Sequence, residues 1–144
     1  MTTKTRHSIR GLLAVVLVIL TVFCITACKE EATGLWANAR YTENTTLGEG
    51  AKTVTVEVTA EEKTVVFTVK TDADTVGAAL LEHELIAGEE GAYGLYVKTV
   101  NGMLADYDVD QTYWSFLIAG ETAMTGVDQT EITEGTVYAL VRTK

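Results

Sequence analysis

Between Lys52 and Thr71 apolar and polar residues alternate with a period of two, which limits this stretch to one kind of structure. Val54, Val56 and Val58 precede the polar Ala60-Glu61-Glu62-Lys63, and Val65, Phe67 and Val69 follow it. Successive side chains of a strand point to opposite faces, so this pattern is a β-hairpin with one buried face. Asp72 or Asp74 is placed to cap a helix after it, and Thr75 to Leu85 carries Val76, Ala79 and Leu80 on one side, with Gly88 as its stop.

The rest of the chain reads as further strands. Leu95 to Val100 is rich in β-formers and runs into Asn101-Gly102, the strongest short hairpin signal, with Met103-Leu104-Ala105 returning. An acidic loop over Asp106 to Thr112 leads to an apolar strand, Tyr113 to Ile118. Ala119-Gly120-Glu121 is a turn, Ile132 lies in a short strand or edge, and Thr136 to Arg142 closes the chain. Two strands, a helix and then several strands describe an α+β domain in which a mostly antiparallel sheet wraps one helix.

The N-terminal segment reads as an address. Lys4, Arg6 and Arg10 precede a 15-residue apolar run from Gly11 to Ile25, and Ile25-Thr26-Ala27-Cys28 ends it with a branched apolar residue, two small residues and a cysteine. That order resembles a bacterial lipoprotein signal, in which the cysteine thiol takes a diacylglycerol and cleavage falls just before it. It divides the chain into a signal peptide (1–27), an acylated Cys28 with a polar tether (28–51) and a domain (52–144); Trp36 and Tyr41 interrupt the tether and either dock onto the domain or start a short strand. The alternative is an uncleaved anchor, since Gly11 to Cys28 just reaches spanning length. Either reading puts the domain on the extracytoplasmic face of the cell membrane, held there by lipid at Cys28 in the first case.

Cleavage before Cys28 leaves 117 residues with 8 basic and 20 acidic side chains, a net charge of −12. A surface this acidic repels phosphate backbones, so nucleic acid is not an expected partner. The same cleavage leaves His83 and Ser115 as the only histidine and serine and no free thiol. Nucleophilic catalysis and a zinc site both lack parts, so no enzyme activity, metal or cofactor is expected. Asp106, Asp108 and Asp110 alternate as at the start of a calcium-binding loop, but Gln111 stands where the loop needs glycine and Leu117 where it needs a bidentate glutamate. A solvated acidic loop is the better reading, and His83 reads as a packing residue on the helix.

From Val65 onward the chain resembles the C-terminal ligand-binding domain of the transcobalamin and intrinsic factor family, a domain also found alone in bacterial surface lipoproteins. The resemblance rests on Thr75-Val76 with Leu80, Tyr93-Gly94-Leu95-Tyr96-Val97, Val100-Asn101-Gly102, Thr112-Tyr113-Trp114 with Phe116-Leu117, Gly120-Glu121, Gly126-Val127 and the terminal Val141 to Lys144. It implies a β-grasp-like fold and a corrinoid ligand of the vitamin B12 class. Carried over by position, the ligand contacts are Tyr93, Gly94, Leu95, Tyr96 and Val97 on one strand and Trp114, Ser115 and Phe116 on another. The resemblance also implies a role in uptake, with a transporter as partner.

Residue pattern alone leaves two readings of these positions. Trp114 and Phe116 share one strand face and are as readily core residues as ligand contacts. The alternative to a small-molecule binder is a module that uses the same fold to hold a surface protein or glycan at a sheet edge.

Overall fold

A computed structural model describes residues 32–144. The signal peptide and the Cys28 acylation site lie outside the described residues. A short strand β1 (Thr45–Leu47) precedes the two valine strings, which form β2 (Lys52–Ala60) and β3 (Lys63–Thr71). Their antiparallel register sets Val54 opposite Val69, Val56 opposite Phe67 and Val58 opposite Val65. All six side chains are therefore on one face and all are buried. The cover is helix α1 (Val76–Glu82), whose Val76, Ala79 and Leu80 are buried in the same core.

After α1 the chain builds β4 (Ile86–Gly91), β5 (Gly94–Val100), β6 (Met103–Leu104), β7 (Tyr113–Ile118), β8 (Glu121–Thr122) and β9 (Val137–Thr143). Six strands form one sheet in the order β1-β3-β2-β9-β7-β8, and β4-β5-β6 form a second. The centre of the larger sheet is the parallel pair β2 and β9, with Val56 opposite Tyr138 and Val58 opposite Leu140. β3 and β7 flank this pair antiparallel to it. A parallel central pair whose connection contains the covering helix is the β-grasp arrangement, and the α+β, mainly antiparallel architecture expected from the pattern is present.

Several local expectations change. The helix is capped by Thr75, whose hydroxyl accepts the Ala78 N–H at 3.2 Å, and not by Asp72 or Asp74. Asp74 pairs instead with Lys52 at 2.8 Å, and Asp72 accepts the Ala51 N–H at 2.9 Å, so both are occupied in tying the start of β2 to the end of β3. The helix ends at Glu82, well before Gly88, because Glu84 takes a left-handed conformation (φ +52°) and the Leu85 N–H donates back to the Leu80 carbonyl at 2.9 Å. Residues expected in a helix stop become β4, which has no apolar alternation because only Ile86 of its six residues is buried. The acidic loop contains one helical turn, Tyr107–Asp110, capped by Asp106.

The expected tether is packed for much of its length. Trp36 lies in a 3-10 turn (Gly34–Asn38), is 3% exposed, and donates its indole N–H to the Ala60 carbonyl at 3.0 Å. Tyr41 stacks edge-on against Phe67 at 5.8 Å, and Asn101 holds both the N–H and the carbonyl of Tyr41. Apolar surface and backbone groups of this arm are thus buried against β2, β3 and the β5–β6 turn, and the packed unit runs from Ala32 to Lys144.

Candidate functional site

The β4–β5 hairpin and the segment after β8 face each other across an open cleft of about 440 Å³. One wall is Gly91-Ala92-Tyr93-Gly94-Leu95-Tyr96, the other Ala123-Met124-Thr125-Gly126. The first wall can turn tightly because Gly94 has φ +101°, a conformation that side chains other than glycine rarely adopt. The second wall is set by β7: the Ala123 N–H donates to the Phe116 carbonyl at 2.9 Å, which extends the β7–β8 hairpin toward the cleft. Tyr93 is 92% exposed and Met124 98% exposed, so two large side chains stand free, one on each wall. Tyr96 is also exposed. Large apolar side chains left in water beside a concavity make a surface ready to receive an apolar ligand face.

Four of the positions expected to touch ligand, Tyr93, Gly94, Leu95 and Tyr96, line this cleft together. Val97, Trp114, Ser115 and Phe116 do not. Three of these four are turned into or against the core. Val97 points into the core next to the exposed Tyr96, and Trp114 and Phe116 lie on the inner face of β7, where Phe116 stacks on Tyr138 at 6.1 Å. Trp114 is only 7% exposed, and its indole nitrogen is buried without a hydrogen-bond partner among the described residues. Ser115 pairs with Val141 on the opposite face of the strand.

The electrostatics nearby are simple. Glu89 on β4 accepts a hydrogen bond from Lys98 on β5 at 3.4 Å, and that contact, with the accompanying Coulomb attraction, raises the Lys98 pKa above its ordinary value. Among the described residues no three His, Cys, Asp or Glu side chains are grouped so as to hold a metal ion. His83, the C-cap residue of α1, has its Nε2 buried beside Gly48.

Sequence pattern does not reveal the wall 123–126. Gly126 enters only through the resemblance, and Ala123-Met124-Thr125 has neither periodicity nor a chemical signature. The one available signal is an exposed-type methionine in a short loop between turn residues, which carries little information by itself.

Fold and cleft together define a β-grasp domain with an open concavity at the end of its smaller sheet. Residues 73–137 match the model of a family described as a domain of unknown function (DUF4430). The chain is similar to the crystal structure of a proposed metal-binding protein from Ruminococcus gnavus, with 35% identity and a TM-score of 0.61 over 65% of this chain and 98% of that one. It belongs to the same family as that protein. It is also similar in fold to haptocorrin, solved in complex with Cbi, at 21% identity and a TM-score of 0.55 over 65% of this chain. The chain spans about a quarter of the length of haptocorrin. No curated protein matches the chain.

Proposed function

We propose that this protein is a small-molecule binding protein, lipid-anchored through Cys28 on the extracytoplasmic face of the membrane, which captures a corrinoid for uptake. The observation that carries the reading is the cleft itself: four residues singled out as ligand contacts by resemblance, Tyr93 to Tyr96, form one wall of it. Its volume falls within the roughly 300–1,000 Å³ of small-molecule sites. A corrin offers a broad apolar face rimmed by amides. Tyr93, Tyr96 and Met124 supply apolar and aromatic contact surface, and the backbone of the Ala92-Tyr93 turn supplies polar groups for the rim. In this reading Trp114 and Phe116 support the β7–β8 wall from the core. The fold shared with haptocorrin, whose structure holds Cbi, adds support.

The test is calorimetric titration of the full chain in detergent with cyanocobalamin and cobinamide, beside a Tyr93→Ala/Tyr96→Ala variant. Both side chains are exposed, so the variant keeps its fold. Loss of two aromatic contacts is expected to weaken binding by roughly tenfold or more. Absence of heat with both corrinoids at high micromolar concentration would overturn the corrinoid assignment.

A second reading, attachment of a surface protein at a sheet edge, is favoured by β4. It is the free edge of the three-stranded sheet, and its side chains from Ala87 to Gly91 are all exposed. Tight binding of a protein that survives Tyr93→Ala/Tyr96→Ala would point to that edge.

A further inference from the structure

Three glycines crowd around one residue, Asp128: Gly77 against its backbone, Gly94 and Gly126 against its carboxylate. A Cβ placed on Gly77 of α1 would come within 2.7 Å of the Asp128 Cα and amide nitrogen. One on Gly94 at the start of β5 would lie 2.7 Å from Asp128 Oδ2, and one on Gly126 would lie 2.6 Å from Oδ1. Carbon atoms do not pack this closely against backbone or carboxylate oxygen. Only bare α-carbons at all three positions admit Asp128 where it sits.

Hydrogen bonds radiate from the same turn, a 3-10 turn over Val127–Gln129. Asp128 Oδ1 accepts the Leu95 N–H at 3.1 Å, which ties down the first cleft wall. Next to it, Gln129 Nε2 donates to the Tyr93 carbonyl at 3.5 Å. The Thr130 hydroxyl donates to the Gly126 carbonyl at 2.8 Å, which ties down the second wall, and the Thr130 carbonyl accepts the Val76 N–H at 2.9 Å, which ties the turn to α1. Both lips of the cleft therefore take their position from one turn braced on the helix.

We infer that Asp128 is the positioning residue of the cleft: lodged in a socket of three glycines, it holds the β4–β5 hairpin and the 123–126 segment at one separation and so sets which ligand thickness fits between them. Asp128 does not line the cleft. Its effect is carried by the Leu95 amide and by contact with Gly94 and Gly126. The role needs an acceptor oxygen and the volume of a carboxyl group, and both survive in asparagine. Only the binding half of this inference rests on the cleft being the ligand site.

The experiment compares Asp128→Ala and Asp128→Asn in the full chain. It reads amide hydrogen exchange by NMR at Leu95 and at Val56 in the central strand, and cyanocobalamin affinity by calorimetry. In Asp128→Ala, loss of one hydrogen bond and its packing is expected to speed exchange at Leu95 by about tenfold relative to Val56 and to weaken cyanocobalamin by about the same factor. Asp128→Asn is expected to restore both. Gly126→Ala, which leaves the carboxylate present but displaces it, is expected to reproduce the faster Leu95 exchange and covers the case in which Asp128→Ala fails to fold. Equal acceleration at Leu95 and Val56 would reduce Asp128 to a general stabiliser and overturn the inference. So would unchanged exchange at Leu95 in both Asp128→Ala and Gly126→Ala. If the parent chain binds no cyanocobalamin, the corrinoid reading falls, while the exchange comparison still decides the role of Asp128.

Discussion

Asp110 shows how much a single acidic side chain does here without being a site. Its carboxylate accepts from both the hydroxyl and the amide N–H of Thr112, and it pairs with Arg142 at 2.7 Å. The Thr112 hydroxyl contact is the largest cause of a pKa lowered below the usual aspartate value, with Arg142 adding to it. A carboxylate with a depressed folded pKa contributes stability that is present above its unfolded value of about 3.9 and lost as pH falls through the lower folded one. The urea midpoint of the wild type should therefore fall between pH 5 and pH 2 more steeply than that of Asp110→Asn, a comparison made by denaturation at a series of pH values. Equal slopes would show that the contact does not persist in solution. Asp106 thus caps a helical turn by accepting the Asp108 N–H, and Asp110 grips β9 through Arg142. Trp114 carries the complementary lesson. Its neighbours Tyr113 and Ser115 are on the other face of β7, and no residue of that strand lines the cleft; on β5 the adjacent pair Tyr96 and Val97 divides, with Tyr96 in the cleft and Val97 in the core.

Among the elements, the N-terminal arm departs most from its sequence. Polar composition makes Lys29 to Ala51 read as a tether, but its two aromatics dock as their type allows: Trp36 is buried under Lys63, whose ammonium lies 4.9 Å from the ring centroid, Tyr41 meets Phe67, and β1 joins the sheet beside β3. Truncating a buried tryptophan costs about 3–5 kcal/mol, so Trp36→Ala should lower stability by roughly that amount, measured by urea denaturation. It should also open the 34–47 arm to proteolysis before the rest of the domain unfolds. Simultaneous cleavage throughout the chain would show that arm and domain are one cooperative unit. The valine hairpin, by contrast, was legible to the residue. Its signal is a local period of two, and Val54, Val56, Val58, Val65, Phe67 and Val69 bury as that period requires. β4 was not legible, because an exposed edge strand of Ile-Ala-Gly-Glu-Glu-Gly has no buried face to leave an imprint, and it is a strand only through pairing with β5.

At the scale of the whole molecule, charge and anchor belong together. If Cys28 carries the lipid, a net charge of −12 keeps the domain from settling on anionic headgroups, and attachment depends on the acyl chains alone. Mass spectrometry of the wild-type protein from the membrane fraction is accordingly expected to find a chain that begins at Cys28 and carries a diacylglycerol. A wild-type chain that keeps residues 1–27 would favour the uncleaved anchor. Local patterning determined the hairpin and its buried face, the covering helix, the Asn101-Gly102 turn and the acidic character of the surface, because each depends on residues only a few positions apart. Tertiary structure alone decided which strands became neighbours: β9 returns to lie parallel to β2, and Gly91–Tyr96 meets Ala123–Gly126 across the cleft. It also brought Gly77, Gly94 and Gly126 together around Asp128. Side-chain periodicity marks which face of an element is buried and leaves no trace of the partner that buries it, so a site assembled from distant segments appears only once those segments have packed.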